Sequence, residues 1–176
     1  MQTENVVTFT SRITPACFIR FGFFDNYRIR EKWKMPMIFS GTFLALSLLA
    51  WHLSGKVSGT DTWMKIGLFL AVAIPITNVA SLFAGLLYQA GKHDLSKQTV
   101  NYLVILGPKG IGVVHRTEHA NCSWEHIYHV YRVPGCIYLY VAFDKAFLLP
   151  EAGNTESAWD MIKEHVEPQK ITNLTK

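Results

Sequence analysis

Two long uncharged runs dominate the pattern of apolar and polar positions along this chain. No Asp, Glu, Lys or Arg occurs from Met35 to Leu53, and none occurs from Ile66 to Tyr88. Each run supplies the roughly 20 apolar residues that a helix needs to cross a hydrocarbon core of about 30 Å. Shorter apolar runs, about 10–14 residues long, are typical of buried core helices in soluble proteins. The pattern therefore predicts two transmembrane helices.

Aromatic residues at the ends of both runs support this prediction. Trp33 and Trp51 bracket the first run, and Trp63 and Tyr88 bracket the second. Such amphipathic rings favour the headgroup level of a bilayer. The intervening link SGKVSGTDT is short and polar. We therefore expect the two helices to be antiparallel neighbours in a helical hairpin.

Basic residues predict the orientation of this hairpin. The link offers only Lys56, with Lys65 at its border, whereas Lys92 and Lys97 follow the second run. Five basic residues precede the first run: Arg20, Arg28, Arg30, Lys32 and Lys34. Since short cytoplasmic segments carry the excess of Lys and Arg, we expect both termini in the cytoplasm. The first 34 residues contain no long apolar core, so we expect no cleavable signal peptide.

The residues after the hairpin change to the alternating pattern of β-strands. VNYLVIL and IGVVH flank the turn GPKG, and CIYLYVAF is followed by a turn and by AFLLP. Asn154 and Pro168 mark the ends of a final helix whose apolar stripe is Trp159, Ile162 and Val166. The expected fold class is α+β: a helical hairpin plus a small β domain that a carboxy-terminal helix covers.

The amino-terminal segment leaves two alternatives open. NVVTFTSRI predicts a short strand, and Thr14 with Pro15 marks the start of a helix. The aromatic and basic residues of that helix suit either a membrane surface or packing on the β domain. We predict a strand and juxtamembrane helix over 1–34, the hairpin over 35–88, a cytoplasmic domain over 89–168 and a tail over 169–176.

Small residues at four-residue spacing predict how the membrane helices pack. Small side chains on one face let another backbone approach closely, and Asn78 should turn its amide toward the partner helix. Pro75 is expected to kink the second helix. No ionisable side chain lies deep in either run, so packing is favoured over a transport pathway. The candidate packing residues, which also suit a homo-oligomer, are Gly41, Ala45, Ala73, Thr77, Asn78, Ser81 and Gly85.

The stretch HRTEHANCSWEHIYH raises the question of a metal site. If residues 124–130 form a helical turn, His126 and His129 share one face, and Cys122 lies one turn earlier. Zinc binding by His119, Cys122, His126 and His129, with His115 as another donor, is therefore one alternative. We favour solvent-exposed histidines, because the spacing lacks two close-set ligand pairs. A pH-responsive surface is a third hypothesis.

Composition and motifs narrow the functional classes. Charged residues make up 17% of the chain, against about 25% in typical soluble domains. The net charge of +4 is partly explained by the basic flank, so we expect no nucleic-acid partner. Three cysteines, an odd number, predict free thiols. The sequence contains no Gly-rich phosphate loop, GxSxG or HExxH motif, which favours a non-enzymatic protein without a cofactor.

The carboxy-terminal half carries a resemblance to a known family. The run SWEHIYHVYRVPGCIYLYVAFDKAFLLPEAG, with Trp124, Ile127 and Val130 in a W-x-x-I-x-x-V pattern, resembles the YcxB-like family. The resemblance implies a bacterial inner-membrane protein with two spans and a carboxy-terminal domain similar to the pleckstrin-homology (PH) fold. Glu151 stands where such proteins commonly have a basic residue. The resemblance implies a fold and a location, but no reaction.

The expected function follows from this organisation. We expect a PH-like protein-interaction module held at the cytoplasmic face of a bacterial inner membrane, with bilayer lipid around the hairpin. Tyr138 and Tyr140 share one face of the strand CIYLYVAF and form the candidate contact surface. The alternative is that both rings pack beneath the closing helix. A protein partner is favoured over a lipid headgroup because the β domain has no dense cluster of Lys and Arg.

Overall fold

The structure, a computed structural model, describes residues 6–54, 59–92, 100–115 and 118–175. Within these ranges, the side chains of residues 9, 11, 12, 100–102, 115 and 118–120 lie outside the description. The chain forms two compact units, one from residues 1–17 together with 94–176, and one from residues 18–93. We name them the β unit and the helical unit. The predicted division at 34/35 and 88/89 differs, because the first strand folds with the carboxy-terminal half.

The first sheet of the β unit is a four-stranded antiparallel meander. Its strands are β1 (Val7–Ile13), β2 (Val100–Gly107), β3 (Gly110–His115) and β4 (Glu118–Cys122), in that order. β1 pairs with β2 over its whole length, from Val7 opposite Leu106 to Ile13 opposite Val100. The amino-terminal strand thus completes a sheet whose other strands follow both long helices in the sequence.

The second sheet has the strand order β7-β6-β5-β8. Its strands are β5 (His129–Val133), β6 (Cys136–Ala142), β7 (Lys145–Pro150) and β8 (Ile171–Asn173). β8 pairs in parallel with β5, whereas the other strand pairs are antiparallel. The expectation of a plain tail over 169–176 is therefore wrong. This short strand is stabilised by its pairing with β5 and by the packing of Ile171 against the core.

One hydrophobic core joins the two sheets to helix α4 (Thr155–His165). The predicted stripe of α4 is confirmed, since Trp159, Ile162 and Val166 are all buried. Arg132 of β5 forms an ion pair with Glu156 and lies 5.3 Å from the centre of the Trp159 ring, which fastens α4 to the second sheet. The strands contribute alternate residues to the core, among them Val104, Leu106, Ile111, Val113, Val130, Ile137, Leu139 and Leu149.

The two predicted helix starts differ in how they are capped. Thr14 Oγ1 accepts a hydrogen bond from the backbone N–H of Cys17 at 3.2 Å, as expected for the cap of α1 (Pro15–Phe24). Asn154 precedes α4 as predicted, but its side chain makes no cap bond. Its Nδ2 instead donates to the carbonyl of Thr8 on β1 at 3.1 Å. Asn154 therefore ties the α4 start to the edge of the first sheet.

Both predicted spans are helices that are long and apolar enough to cross a membrane. They are α2 (Lys34–His52) and α3 (Thr60–Lys92). Only 6% and 11% of the residues in their most apolar stretches are buried, whereas the core helix of a soluble protein is mostly buried. The bracketing rings of Trp51, Trp63 and Tyr88 are exposed. Lys56 in the predicted link, and Lys97, lie outside the described residues.

The segment that precedes α2 packs against α3. Gly22 of α1 is buried, and a Cβ at this position would lie 2.8 Å from Leu86 Cδ1. The ring of Phe23 lies 6.4 Å from that of Phe83. A π-helical turn over Asp25–Ile29 follows, and its buried Asp25 pairs with Arg30 at 2.7 Å. These contacts within the helical unit were not predicted from the sequence.

Candidate functional site

The histidine-rich stretch lies where the first sheet passes into the second. Cys122 ends β4, and a single 3-10 turn over Trp124–His126 follows it. The expected helical turn over 124–130 is wrong beyond residue 126, because β5 begins at His129. Trp124, Ile127 and Val130 are nevertheless buried, as the W-x-x-I-x-x-V pattern predicts. Trp124 also donates its indole N–H to the Gly107 carbonyl at 2.9 Å.

The two described histidines of this stretch have different partners. His126 is exposed, and its Nδ1 lies 2.5 Å from Ser123 Oγ. His129 is half-buried, with Nε2 2.9 Å from Thr172 Oγ1 and its ring 4.3 Å from that of Tyr131. The shared face expected for these two histidines is therefore not formed, because they belong to a turn and to a strand.

The zinc alternative receives no structural support. Among the described side chains, no group of three or more His, Cys, Asp or Glu residues is placed to hold a metal ion. The side chains of His115 and His119 lie outside the description. Burial raises the pKa of the Cys122 thiol, which favours its neutral form. Burial also lowers the pKa of His129, which favours a neutral ring.

The expected exposed row of tyrosines is wrong. Tyr138 and Tyr140 have only 3% and 1% of their surface exposed. β6 is an inner strand between β5 and β7, and its first five residues are all buried. Ile137 and Leu139 share the core with α4, so the tyrosines lie on the opposite face of the sheet, not beneath that helix. Neither ring is available as a contact surface.

A surface cavity beside the β2–β3 hairpin is a better candidate for a binding site. Its volume is about 580 Å³, against about 290 Å³ for a second cavity of the β unit beside Arg132 and Glu151. The lining combines apolar side chains, backbone groups and one lysine: Val6, Ile105, Gly107, Pro108, Lys109, Gly110, Ile111, Gly112, Val114, Asn121, Cys122 and Ser123. Such a mixture suits a ligand with both apolar and hydrogen-bonding groups.

Glycines create the cavity. Gly107 and Gly112 contribute no side chain to the outer face of the sheet, while the neighbouring Leu106 and Ile111 fill the core. Gly110 has φ +147°, and a Cβ there would lie 2.8 Å from the Cα of Ser123 and closer still to the Cys122 carbonyl. The sequence pattern predicts only a hairpin turn at GPKG. Glycine at alternate strand positions was the signal for an open outer face.

The predicted small-residue face is not the one that joins α2 to α3. Beyond the neighbouring backbone of its own helix, no described atom lies within 4 Å of a Cβ built on Gly41 or Gly85, and Ala45, Thr77 and Ser81 are exposed. The helices meet instead at Gly67, where a Cβ would contact Ser47 Oγ and lie 3.2 Å from the Phe43 carbonyl. The four-residue spacing correctly indicates that small residues allow close packing of helices. The sequence does not show that Gly67, and not the predicted set, lies at the contact between α2 and α3.

The hydroxyl groups of Tyr27 and Ser40 donate hydrogen bonds to polar atoms inside the helical unit. Tyr27 donates to Asn78 Oδ1 at 3.1 Å, so the amide oxygen of Asn78 has a partner in the segment before α2. Ser40 donates to the carbonyl of Ala71. Pro75 lies four residues beyond Ala71 and has no N–H to offer that carbonyl. The position four residues before a helical proline was a sequence signal for this contact.

Comparison with known proteins adds no relative. No protein-family model, curated protein or solved structure matches the chain. Inference about function therefore rests on the two apolar helices and on the surface of the β unit.

Proposed function

We propose that this chain is a non-enzymatic, YcxB-like protein of a bacterial cytoplasmic membrane. In this proposal α2 and α3 span the bilayer, both termini are cytoplasmic, and the β unit is a PH-like module that binds a protein partner. The exposure of apolar side chains along both long helices carries the proposal.

The exposed apolar surface of the hairpin needs a non-aqueous environment. Large side chains on both helices are half or more exposed, including Met35, Ile38, Leu49, Phe69 and Ile76. Leaving a side chain of this size in water costs about 1.5–3 kcal/mol relative to burying it. A surface of this extent is unusual on a soluble monomer and typical of contact with lipid or another protein. The exposed Trp51 and Trp63 at the helix ends suit bilayer interfaces.

The architecture of the β unit supports the PH-like assignment. A four-stranded meander is followed by a three-stranded meander, and α4 closes the core between them. Seven described strands in two sheets precede the closing helix, and this order is what supports a PH-like module in the proposal. The first strand precedes the hairpin in sequence, so the two apolar helices are inserted between β1 and β2. An inserted hairpin attaches the β unit to the bilayer through two chain connections.

The cavity beside the β2–β3 hairpin is the proposed place of contact with the partner. Its apolar walls, formed in part by Ile105 and Val114, suit side chains of a partner, and its glycine backbone leaves room for an approaching chain. Among the described residues that line it, Lys109 is the one charged residue. One lysine is a weak attraction for an anionic headgroup, since polybasic sites use clusters of about 4–8 basic residues. A protein segment is therefore the proposed occupant.

Cysteine labelling in intact cells tests the membrane topology. In a full-length chain with Ser at its native cysteines, Lys56→Cys should react with a membrane-impermeant maleimide from outside. Thr175→Cys, the matched position near the carboxy terminus, should react only after permeabilisation. Reaction of both positions, or of neither, in intact cells would contradict the proposed hairpin.

Site-specific photo-crosslinking tests the contact surface. A photoreactive amino acid in place of Lys109 should yield a discrete adduct with one cellular protein in native membranes. The matched control is Asp160, which is exposed on α4, outside the cavity lining. Equal adducts from both positions would indicate non-specific capture. Adducts from Asp160 alone would place the contact elsewhere and overturn the cavity assignment.

A further inference from the structure

An open groove runs along the helical unit between the start of α2 and the middle of α3. Its volume is about 590 Å³, and its lining is Lys32, Met35, Pro36, Phe39, Ile74, Thr77, Asn78 and Ser81. We name it the hairpin groove. We propose that the hairpin groove binds one anionic phospholipid, with the phosphate at Lys32 and an acyl chain along the apolar end. The proposal rests on the proposed function, since it takes α2 and α3 to lie in a bilayer.

The break between the π-helical turn and α2 fixes the position of Lys32. Glu31 has φ +50°, in the left-handed region, so the backbone changes direction at this residue. The backbone N–H of Lys32 then donates to the Asn26 carbonyl at 2.9 Å. The side chain of Lys32 thus reaches the groove from a backbone that is itself held in place.

Hydrogen bonds between the two walls bracket the hairpin groove. Tyr27 donates to Asn78 Oδ1 at one end, and Ser40 donates to the Ala71 carbonyl at the other. These bonds hold the walls of the groove together on either side of the opening.

The groove changes from polar to apolar along its length. Lys32 lies seven residues before Phe39, and Ser81 lies seven residues after Ile74. Since α2 and α3 are antiparallel, both steps lead in the same direction, and seven residues cover about 10 Å of helix. One end therefore offers an ammonium and a hydroxyl, whereas the other offers two apolar side chains.

The charge at the polar end is positive. From Asp25 to Lys34 the chain has four basic and two acidic residues, a net charge of +2. Clusters of about 4–8 basic residues beside a membrane helix are typical of sites for anionic lipids. Arg30 pairs with Asp25, and Lys34 pairs with Glu31. Among the described side chains, no carboxylate forms an ion pair with Lys32, so its charge is available to an anion.

Asn78 and Ser81 add hydrogen-bonding groups to the polar end. Because Asn78 Oδ1 accepts the Tyr27 hydroxyl, the remaining group of this amide is its NH₂, which can only donate. Ser81 lies one turn beyond Thr77 on α3, and it is exposed. An ammonium, an amide NH₂ and a hydroxyl suit the oxygens of a phosphate, which accept hydrogen bonds.

The apolar end distinguishes a phospholipid from a free anion. Met35 and Phe39 are 62% and 53% exposed, and an acyl chain would cover them. Trp33 precedes α2, is 43% exposed and suits the headgroup level, which places the adjacent Lys32 beside lipid phosphates. Inorganic phosphate would leave the apolar end uncovered, whereas an anionic phospholipid matches both ends.

Native mass spectrometry of the full-length protein in a non-ionic detergent tests the proposal. The protein is titrated with dimyristoyl phosphatidylglycerol, which is anionic, or with dimyristoyl phosphatidylcholine, which has the same acyl chains and no net charge. One phosphatidylglycerol should bind about fivefold more tightly than phosphatidylcholine. Lys32→Gln should remove most of this preference. Lys65→Gln, which removes the same charge from an exposed position of α3 outside the groove, should retain it.

Ser81→Leu tests the groove itself, because it fills the polar end and leaves every charge in place. It should weaken phosphatidylglycerol binding about as much as Lys32→Gln does. Equal affinity of the wild type for both lipids, equal effects of Lys32→Gln and Lys65→Gln, or unchanged binding in Ser81→Leu would each overturn the proposal. Displacement of the lipid by equimolar inorganic phosphate would overturn it too. Dimers that replace the lipid adducts would assign the groove to a second copy of the chain.

The lipid titration uses neither the orientation of the hairpin in cells nor a protein partner. Cysteine labelling that contradicts the hairpin would therefore overturn the proposed function. Correct labelling without selectivity for phosphatidylglycerol would overturn only the lipid site.

Discussion

The hydroxyl of Ser40 donates a hydrogen bond to the carbonyl oxygen of Ala71, across the contact between α2 and α3. In a regular helix this carbonyl would accept the N–H of residue 75, but that residue is proline. Ser40 thus satisfies the acceptor that Pro75 leaves free. In a lipid environment, where water is absent, such a bond also specifies how the two helices pair.

Substitution of Ser40 tests this compensation. Ser40→Ala should destabilise the hairpin by about 1–2 kcal/mol, because it leaves the Ala71 carbonyl unsatisfied among apolar groups. In a Pro75→Ala background the new N–H can bond to that carbonyl, so the same substitution should cost much less. Unfolding in mixed detergent micelles measures both differences. Equal losses in the two backgrounds would show that Ser40 does not act through this carbonyl.

Close packing at Gly67 makes a second prediction. Gly67→Ala should destabilise the hairpin by roughly 1–3 kcal/mol, since its Cβ overpacks the contact with α2. The Ser47 side chain cannot easily move away from this Cβ, because its hydroxyl donates a hydrogen bond to the Phe43 carbonyl at 2.8 Å. Gly41→Ala is the matched control, where no described atom beyond the neighbouring backbone of its own helix lies within 4 Å of the new Cβ. It should be neutral or slightly stabilising in the same assay.

If Gly41→Ala and Gly67→Ala exchanged their effects, the α2–α3 contact would use the predicted small-residue face and not the one described. Loss of self-association without loss of hairpin stability in Gly41→Ala would instead indicate that this face joins two copies of the chain. Crosslinking in detergent distinguishes these outcomes.

The sequence predicted secondary structure better than it predicted contacts. The long apolar runs, the GPKG hairpin and the stripe of α4 are local patterns, and the structure confirms them. The pairing of β1 with β2 spans both long helices, and no local pattern indicates it. The alternation of β6 showed two faces, but it did not show that neighbouring elements bury both of them. Tyr138 and Tyr140 were therefore wrongly expected at the surface.

His129 makes the stability of the β unit depend on pH. Its ring contacts Thr172 and Tyr131, it faces Tyr140 across the strand pair, and burial lowers its pKa from 6.5. The unfolded chain thus binds the proton more tightly than the folded chain. The contribution of His129 is complete above about pH 6.5 and is lost as the pH falls through the lower folded-state pKa.

We therefore expect a lower midpoint of thermal unfolding at pH 5 than at pH 7.5, and a smaller difference in His129→Gln. Circular dichroism of the full chain in a non-ionic detergent measures both midpoints. His126→Gln is the control, because His126 is exposed on the preceding turn. An unchanged difference in His129→Gln would assign the pH dependence to other groups.

Substitution of Gly110 tests whether this glycine is required for the close contact between β3 and the end of β4 beside the candidate cavity. The test needs no binding partner. At φ +147°, an alanine is strained, and its Cβ would collide with the backbone of Cys122 and Ser123. Gly110→Ala should therefore destabilise the β unit by roughly 1–3 kcal/mol and displace β4 from β3. Gly153→Ala, where no described atom lies within 4 Å of the new Cβ, should have little effect. Hydrogen exchange localises the change: faster exchange confined to β3 and β4 is expected, and uniform exchange across both sheets would contradict a local role for Gly110.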